Sequence, residues 1–438
     1  MNFKSKILQY GIGPVGSAII SLVTLPFIAW FYTINDVARF SIFQAILLFY
    51  TLVLSFGLDQ AFIREYYEAK NKNELLKNIG FGLLVPNIFF IFAVLYFFWD
   101  ELSYLIYDEV SFSLIMLTVA SCFFSLLIRI LSSIQRVNDQ AILFSLSQII
   151  PKFFFIILLI IFTYVFPPDF INIIVAQFFA LMAVFLYFLM VNKVYIKESI
   201  KEKIDINLVK SYVIYGFPLI FTGILIWGLK IADRFYLKAF SDLKQLGLYS
   251  MAISIAGAVG IFVSIFNTIW SPLVYRWVKE ENIYSTKIVS KVEKIAFLGS
   301  ISILIISIIT ILGAYLVPYF LPNDYKKIYL ILPLCVLSVL VFTLSEVTSI
   351  GINLMRKTKY TLFSCIIAII FHVLTSILLI PVYGSTGAAL AGLIAFYVFY
   401  IVKTYFSNMI WVKNNFNNAH LLVFLSIILV CLPVLYGY

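Results

Sequence analysis

Five charged side chains interrupt long apolar runs and are the residues best placed to do chemistry: Lys152, Arg129, Lys230, Asp233 and Arg234. An ammonium or guanidinium held away from water seeks an anion, and phosphate or pyrophosphate pairs well with either group. Lys152 is the sharpest case. It lies eleven residues into a run that begins near Ala141. At ~1.5 Å per residue that is roughly 16 Å, about the midplane of a ~30 Å hydrocarbon layer. A cation there costs about 2.5–3.5 kcal/mol on insertion scales, so it faces a cavity or a structural ion-pair partner rather than lipid. Pro151 precedes it and frees a backbone carbonyl nearby. Arg129 is nearer the end of its run, where snorkelling to the surface competes with a role in binding. Lys230, Asp233 and Arg234 form a cluster in which Lys230 and Asp233, three residues apart, can pair on one helix face. Asp59 and Arg64, at the end of the second run, and Glu346, inside the tenth, are candidates for helix-end pairing or for carrying a coupling proton.

Other catalytic patterns are lacking. Gly11-Ile-Gly13-Pro-Val-Gly16 matches GxGxxG, but a dinucleotide fold needs a strand before it, and here the motif sits in an apolar run with Pro14 inside. It reads as a bent or closely packed helix. No P-loop, HExxH or paired-cysteine zinc pattern occurs, and histidine is limited to His372 and His420. No catalytic residue, metal site or cofactor is therefore expected. Cys122, Cys335, Cys365 and Cys431 all fall in apolar runs and are expected to pack as small hydrophobes.

The elements that hold these residues follow from composition. Of 438 residues, 63% are hydrophobic and 12% charged. A soluble chain carries roughly 25% charge, so a surface this poor in charge belongs in lipid, where apolar side chains need no cover. A span needs about 20 apolar residues. That ruler gives spans at 7–32, 38–58, 78–99, 111–133, 141–166, 171–191, 212–236, 247–272, 295–317, 328–350, 360–381 and 386–406. A shorter run, His420–Tyr436, is a candidate thirteenth. The expected fold is an all-α membrane protein of twelve or thirteen spans. The net charge of +10 reflects topology rather than a nucleic-acid partner. Twenty-two basic residues, among them Lys4, Lys193, Arg276, Arg356 and Lys403, fall on the side of the N-terminus and six on the other. That bias places the N-terminus in the cytoplasm.

The break at 192–211 repeats Ile196, Ile200, Ile204 and Leu208 every four residues, with Lys197, Lys201 and Lys203 between them. It reads either as an amphipathic helix on the cytoplasmic lipid surface or as a solvated connector. It divides the chain into an N-terminal bundle of six spans (1–192), a linker (193–210), a second bundle of six (211–409) and a tail (410–438). The halves are faintly alike. Ala38–Ile46 (ARFSIFQAI) parallels Gly247–Ile255 (GLYSMAISI), and Arg136 with Leu143–Ser145 parallels Arg356 with Leu362–Ser364. Repeats in the same orientation commonly enclose a midplane site.

Asn207–Leu237, with its Ala232-Asp233-Arg234 signature, and Leu246–Gly257 resemble the start of the second half of polysaccharide flippases. Phe56–Glu68 (FGLDQAFIREYYE) resembles the end of their second helix, and Gly13–Thr33 their first. This family belongs to the superfamily of multidrug exporters and lipid II flippases. The resemblance implies two six-helix bundles around a central cavity. It also implies alternating access that moves undecaprenyl-pyrophosphate-linked oligosaccharide, of the O-antigen class, to the periplasmic leaflet of a bacterial inner membrane. Expected partners are the bilayer, that lipid-linked cargo and other polysaccharide-assembly membrane proteins. A membrane polysaccharide polymerase or ligase would need larger external loops than these. A drug/cation antiporter of the same superfamily would need acidic rather than basic groups in its N-terminal cavity.

Overall fold

The computed structural model describes residues 3–437, and among them every regular element is helical. The order is α1 (Phe3–Phe31), α2 (Ile34–Val53), α3 (Leu58–Glu65), α4 (Lys72–Phe97), α5 (Trp99–Tyr107), α6 (Phe112–Val137), α7 (Ala141–Val165), α8 (Phe170–Val191) and α9 (Lys193–Ile200). There follow α10 (Ile206–Ile231), α11 (Asp233–Phe240), α12 (Leu243–Glu280), α13 (Thr286–Ala314), α14 (Ile328–Thr348), α15 (Ile350–Leu354), α16 (Lys359–Ile410) and α17 (Asn417–Gly437). Only a helix pairs every backbone group within one segment, which is why apolar runs of this length take that form in lipid.

Twelve of these helices are long and apolar enough to cross a membrane. One of them, α16, is 52 residues long. At ~1.5 Å per residue a straight helix of that length would be more than twice the hydrocarbon thickness. It is two arms joined at Gly384, which has φ +53° and ψ −127°. Gln245 Oε1 accepts from the Ser385 backbone N–H at 3.1 Å and from Ser385 Oγ at 2.6 Å, capping the second arm. The eleventh and twelfth runs of the sequence are thus both present, and Asn417–Leu435 meets the requirements for a span as well. That places the shorter terminal run among the crossing helices by length and composition.

Chain contacts define two compact units, residues 1–24 with 39–224, and residues 25–38 with 225–438. In the first, α6, α7 and α8 pack on one another. In the second, α14 is the most enclosed span and is packed by α12, α13 and α16. Outward faces elsewhere carry Phe89, Phe92, Ile161, Leu312 and Leu378, all exposed, as lipid contact requires.

Small residues set the close approaches of the first unit. The GxGxxG segment is continuous helix, and a Cβ on Gly13 would meet Ser145 Cα at 2.9 Å, one on Gly16 the Ile149 side chain at 2.8 Å. It is a packing face of α1 on α7, as expected. Between α2 and α3 the chain breaks at Phe56 and Gly57, with φ +50° and +66°. The Phe56 carbonyl lies directly against Gly216 of α10, where a Cβ would collide with it. Two segments with family-like sequence, Phe56–Glu68 and Asn207–Leu237, therefore touch at this point.

The stretch 192–211, read as an amphipathic helix or a solvated connector, forms parts of two helices rather than one. α9 ends at Ile200, and Asp205 starts α10 by accepting from the Asn207 and Leu208 backbone N–H groups at 2.8 and 3.3 Å. The Asp205 N–H itself donates to Asn78 Oδ1 at 2.8 Å. The side-chain cap stabilises the new start, because it satisfies N–H groups that the first turn of α10 leaves without intrahelical partners. The cysteines behave as expected: Cys122, Cys335 and Cys365 are buried, Cys431 half-buried, and all are free thiols.

Gly216→Ala is expected to lower the thermal stability of the detergent-purified protein, the overpacking costing about 1–3 kcal/mol. Gly11→Ala, whose methyl meets nothing within 4 Å, is expected to leave the melting transition in place. Identical melting of the two variants would contradict this packing.

Candidate functional site

The first unit holds two kinds of cation. Arg129 is at the third quarter of α6 and reaches Asp59 in the first turn of α3. Its Nε and one terminal nitrogen donate to Asp59 Oδ2 at 2.9 and 2.7 Å, and Gln60 Nε2 donates to the same oxygen at 2.9 Å. Asp59 is 4% exposed and Arg129 38%. The break at Phe56–Gly57 makes this possible, because it starts α3 afresh and puts Asp59 at a helix N-terminus, where a carboxylate is favoured. Arg129 is therefore neutralised within the protein. Arg64, at the other end of α3, lies 4.4 Å over the Tyr215 ring and 3.7 Å from Glu65.

Lys152 differs. Its Nζ donates to Ser21 Oγ at 2.7 Å and to the Ser17 carbonyl at 3.2 Å, both on α1. Ser21 Oγ donates to that same carbonyl at 3.0 Å. These dipoles solvate the ammonium in part, yet no carboxylate of the described residues pairs with it. Of the two outcomes open in the sequence, an ion pair or a cavity-facing cation, the contacts leave the charge of Lys152 uncompensated.

In the second unit, Lys230, Asp233 and Arg234 flank a break at Ala232, between α10 and α11. Lys230 and Asp233 line one cavity but do not pair with each other, because His372 and Tyr249 take the two Asp233 oxygens. Lys230 Nζ lies 4.1 Å over the Phe342 ring. Asp233 Oδ1 bonds to His372 Nε2 at 2.5 Å, and Oδ2 accepts from the Tyr249 hydroxyl at 2.6 Å. Asp233, Tyr249 and His372 are all buried. Arg234 interacts electrostatically with both Asp233 and Tyr249. A cavity of about 350 Å³ is lined by Lys230, Asp233, Tyr249, Ser338, Phe342 and Phe396 among others. Nearby, Lys403 Nζ donates to Glu346 Oε1 at 2.6 Å, and Trp270 Nε1 donates to the Glu346 carbonyl at 3.2 Å.

Three residues of this cluster escaped sequence reasoning. Lys403 was expected at a span end, among the basic residues that set topology. Instead α16 runs on to Ile410 and Lys403 is 4% exposed, so the ion pair with Glu346 and not an interface holds it. His372 sits twelve residues past Tyr360. The depth argument that singled out Lys152 would have singled it out too. Tyr249 carries no such signal, because tyrosine is common in apolar spans.

The fold has known counterparts. The lipid II flippase MurJ in an inward closed conformation superimposes with TM-score 0.75 at 16% identity, over 98% of this chain and 93% of the other. An inward-facing multidrug resistance transporter of the MATE family matches at 0.64 and 13%, over 92% and 94%. A MOP superfamily transporter from Pyrococcus furiosus with a binding pocket of reverse polarity matches at 0.54 and 14%, over 93% and 95%. A comparison with curated proteins finds no match. The fold is thus one shared with a lipid II flippase and with transporters of the MOP superfamily. Residues 3–278 match the model of the polysaccharide biosynthesis protein family, and the chain belongs to that family.

Removing the guanidinium in Arg129→Gln strands the Asp59 carboxylate. The expected loss is at least ~1 kcal/mol, below the ~3–5 kcal/mol of a fully buried pair because Arg129 is partly exposed. Asp59→Asn added to Arg129→Gln is expected to restore part of it. A double variant no more stable than Arg129→Gln, in chemical or thermal unfolding of the purified protein, would exclude the pair as the cause.

Proposed function

We propose that this protein moves an undecaprenyl-pyrophosphate-linked oligosaccharide, an O-antigen or related surface-polysaccharide repeat unit, from the cytoplasmic to the periplasmic leaflet by alternating access. The observation that carries the reading is Lys152. It is a cation about midway along a membrane-spanning helix, solvated by Ser17 and Ser21 and lacking an acid among the described residues. A diphosphate supplies the missing charge, and it must be carried across the low-dielectric layer in which an unpaired ion is costly.

Family membership and a fold shared with a lipid II flippase support a lipid-linked cargo. The charge pattern argues against a cationic drug, since the buried carboxylate of the first unit, Asp59, is already taken by Arg129. In this reading the protein lies in a bacterial inner membrane with its N-terminus in the cytoplasm, as the basic residues of its loops favour. Its halves at 1–192 and 211–409 act as the two rocking bundles, joined by 193–210 and followed by a helix at 410–438. Lys152 meets the diphosphate, while Asp59, Arg64, Arg129 and Glu346 hold helices in register. Other polysaccharide-assembly proteins of the membrane receive the cargo.

A strain lacking the gene is expected to accumulate cytoplasm-facing lipid-linked repeat units and to lose surface polysaccharide. Lys152→Ala, expressed and inserted at the normal level, is expected to fall to within a few per cent of wild-type complementation. Normal surface polysaccharide in the deletion strain would overturn the assignment, and full complementation by Lys152→Ala would remove that residue from the site.

A further inference from the structure

The cavity of the second unit has a charge balance of its own. Its carboxylate, Asp233, has both oxygens engaged, one by His372 and one by Tyr249. The neighbouring carboxylate, Glu346, is held by Lys403. Lys230 is the charged group on the wall that makes no direct ion pair: Glu346 attracts it from a distance but is bonded to Lys403, and its contact is the face of Phe342. An ammonium resting on an aromatic face is weakly held there, at about 0.5–2 kcal/mol, and keeps its three N–H donors for a ligand.

The rest of the lining describes that ligand. Phe342 and Phe396 stand edge to face, with ring centroids 5.7 Å apart, and form an apolar wall. Ser338 Oγ donates to the Leu334 carbonyl and Tyr249 donates to Asp233, so both hydroxyl oxygens are left as acceptors toward the cavity. A volume of about 350 Å³ lies in the range of small-molecule sites. A cation, an aromatic wall for the C–H face of a ring, and hydroxyl acceptors for its O–H groups match one class of molecule. A bare diphosphate would use the cation and leave the wall and the acceptors idle.

We propose that this cavity binds a sugar ring bearing an anionic substituent, a carboxylate or a phosphate, with Lys230 pairing the anion and Phe342 and Phe396 taking the ring. As a statement about cargo this rests on the flippase reading above, and it makes the translocated oligosaccharide one that contains an acidic sugar. As a statement about binding it stands alone.

Saturation-transfer NMR on the purified protein in nanodiscs tests it with glucuronate, glucose 6-phosphate and glucose as probes and inorganic pyrophosphate as competitor. Glucuronate or glucose 6-phosphate is expected to bind, and glucose to bind at least about tenfold more weakly, the worth of a charge-assisted hydrogen bond. Lys230→Met is expected to lose a similar factor, Lys230→Arg to keep most of the binding, and Phe342→Leu to weaken it with the charge intact. Lys326→Met, an exposed lysine outside the cavity, serves as the control and should bind as wild type. Equal binding of glucose, an undiminished signal in Lys230→Met, or no saturation transfer to either glucuronate or glucose 6-phosphate would each overturn the proposal. If the deletion strain keeps its surface polysaccharide while glucuronate binding depends on Lys230, the flippase reading falls and the site remains.

Discussion

A bilayer offers no water to a peptide N–H or to a side-chain charge, and most features of this molecule answer that constraint. Among the described residues, backbone groups are satisfied by making every regular element a helix. Charges are satisfied pairwise: Asp59 with Arg129, Glu346 with Lys403, and Asp233 with His372 and Tyr249. All but the Asp233–Tyr249 contact join helices that are distant in sequence. Against that background Lys152 and Lys230 stand out, because their nearest partners are hydroxyl, carbonyl and ring faces rather than acids. In the proposals above, each is the seat of a ligand that brings the opposite charge.

Interruptions in the helices place the charges. The left-handed pair Phe56–Gly57 begins α3 beneath Asp59 and is pressed against Gly216. At the junction of α10 and α11, Lys230 lies on Phe342 and Asp233 meets His372. The fold at Gly384, capped by Gln245, makes two arms of α16, so that His372 on one arm and Lys403 on the other serve the same unit. Glycine is needed at Gly384 because its φ is positive and Gln245 fills the space a Cβ would take. The discontinuous helix near an ionic cluster is how irregular backbone is tolerated at membrane depth, where it borders a cavity rather than lipid.

Much of this was legible in the sequence, and for a physical reason. Span length and apolar content are local properties, so the runs appear where a ~20-residue ruler puts them, and Gly13 and Gly16 read correctly as a packing face. Partners are not local. Asp233 finds His372 139 residues away, and Arg129 finds Asp59 70 residues away; no spacing rule reaches that far. Lys230 and Asp233 illustrate the reverse error. Their separation of three suits a helix-face pair, but Asp233 is taken by His372 and Tyr249 on other helices and Lys230 rests on Phe342. Lys403 was misread because depth was measured from a span end set too early, and the helix runs seven residues past it.

The account turns on whether the unpaired ammonium of Lys152 is a seat for a travelling diphosphate. The direct measurement is translocation of a fluorescent undecaprenyl-pyrophosphate-linked sugar in proteoliposomes, read by loss of access to an external quencher, beside an uncharged glycolipid of the same chain length. The account predicts protein-dependent movement of the diphosphate-linked lipid, little movement of the uncharged one, and a rate for Lys152→Met close to that of protein-free vesicles. Equal rates for both lipids, or a wild-type rate in Lys152→Met, would contradict it.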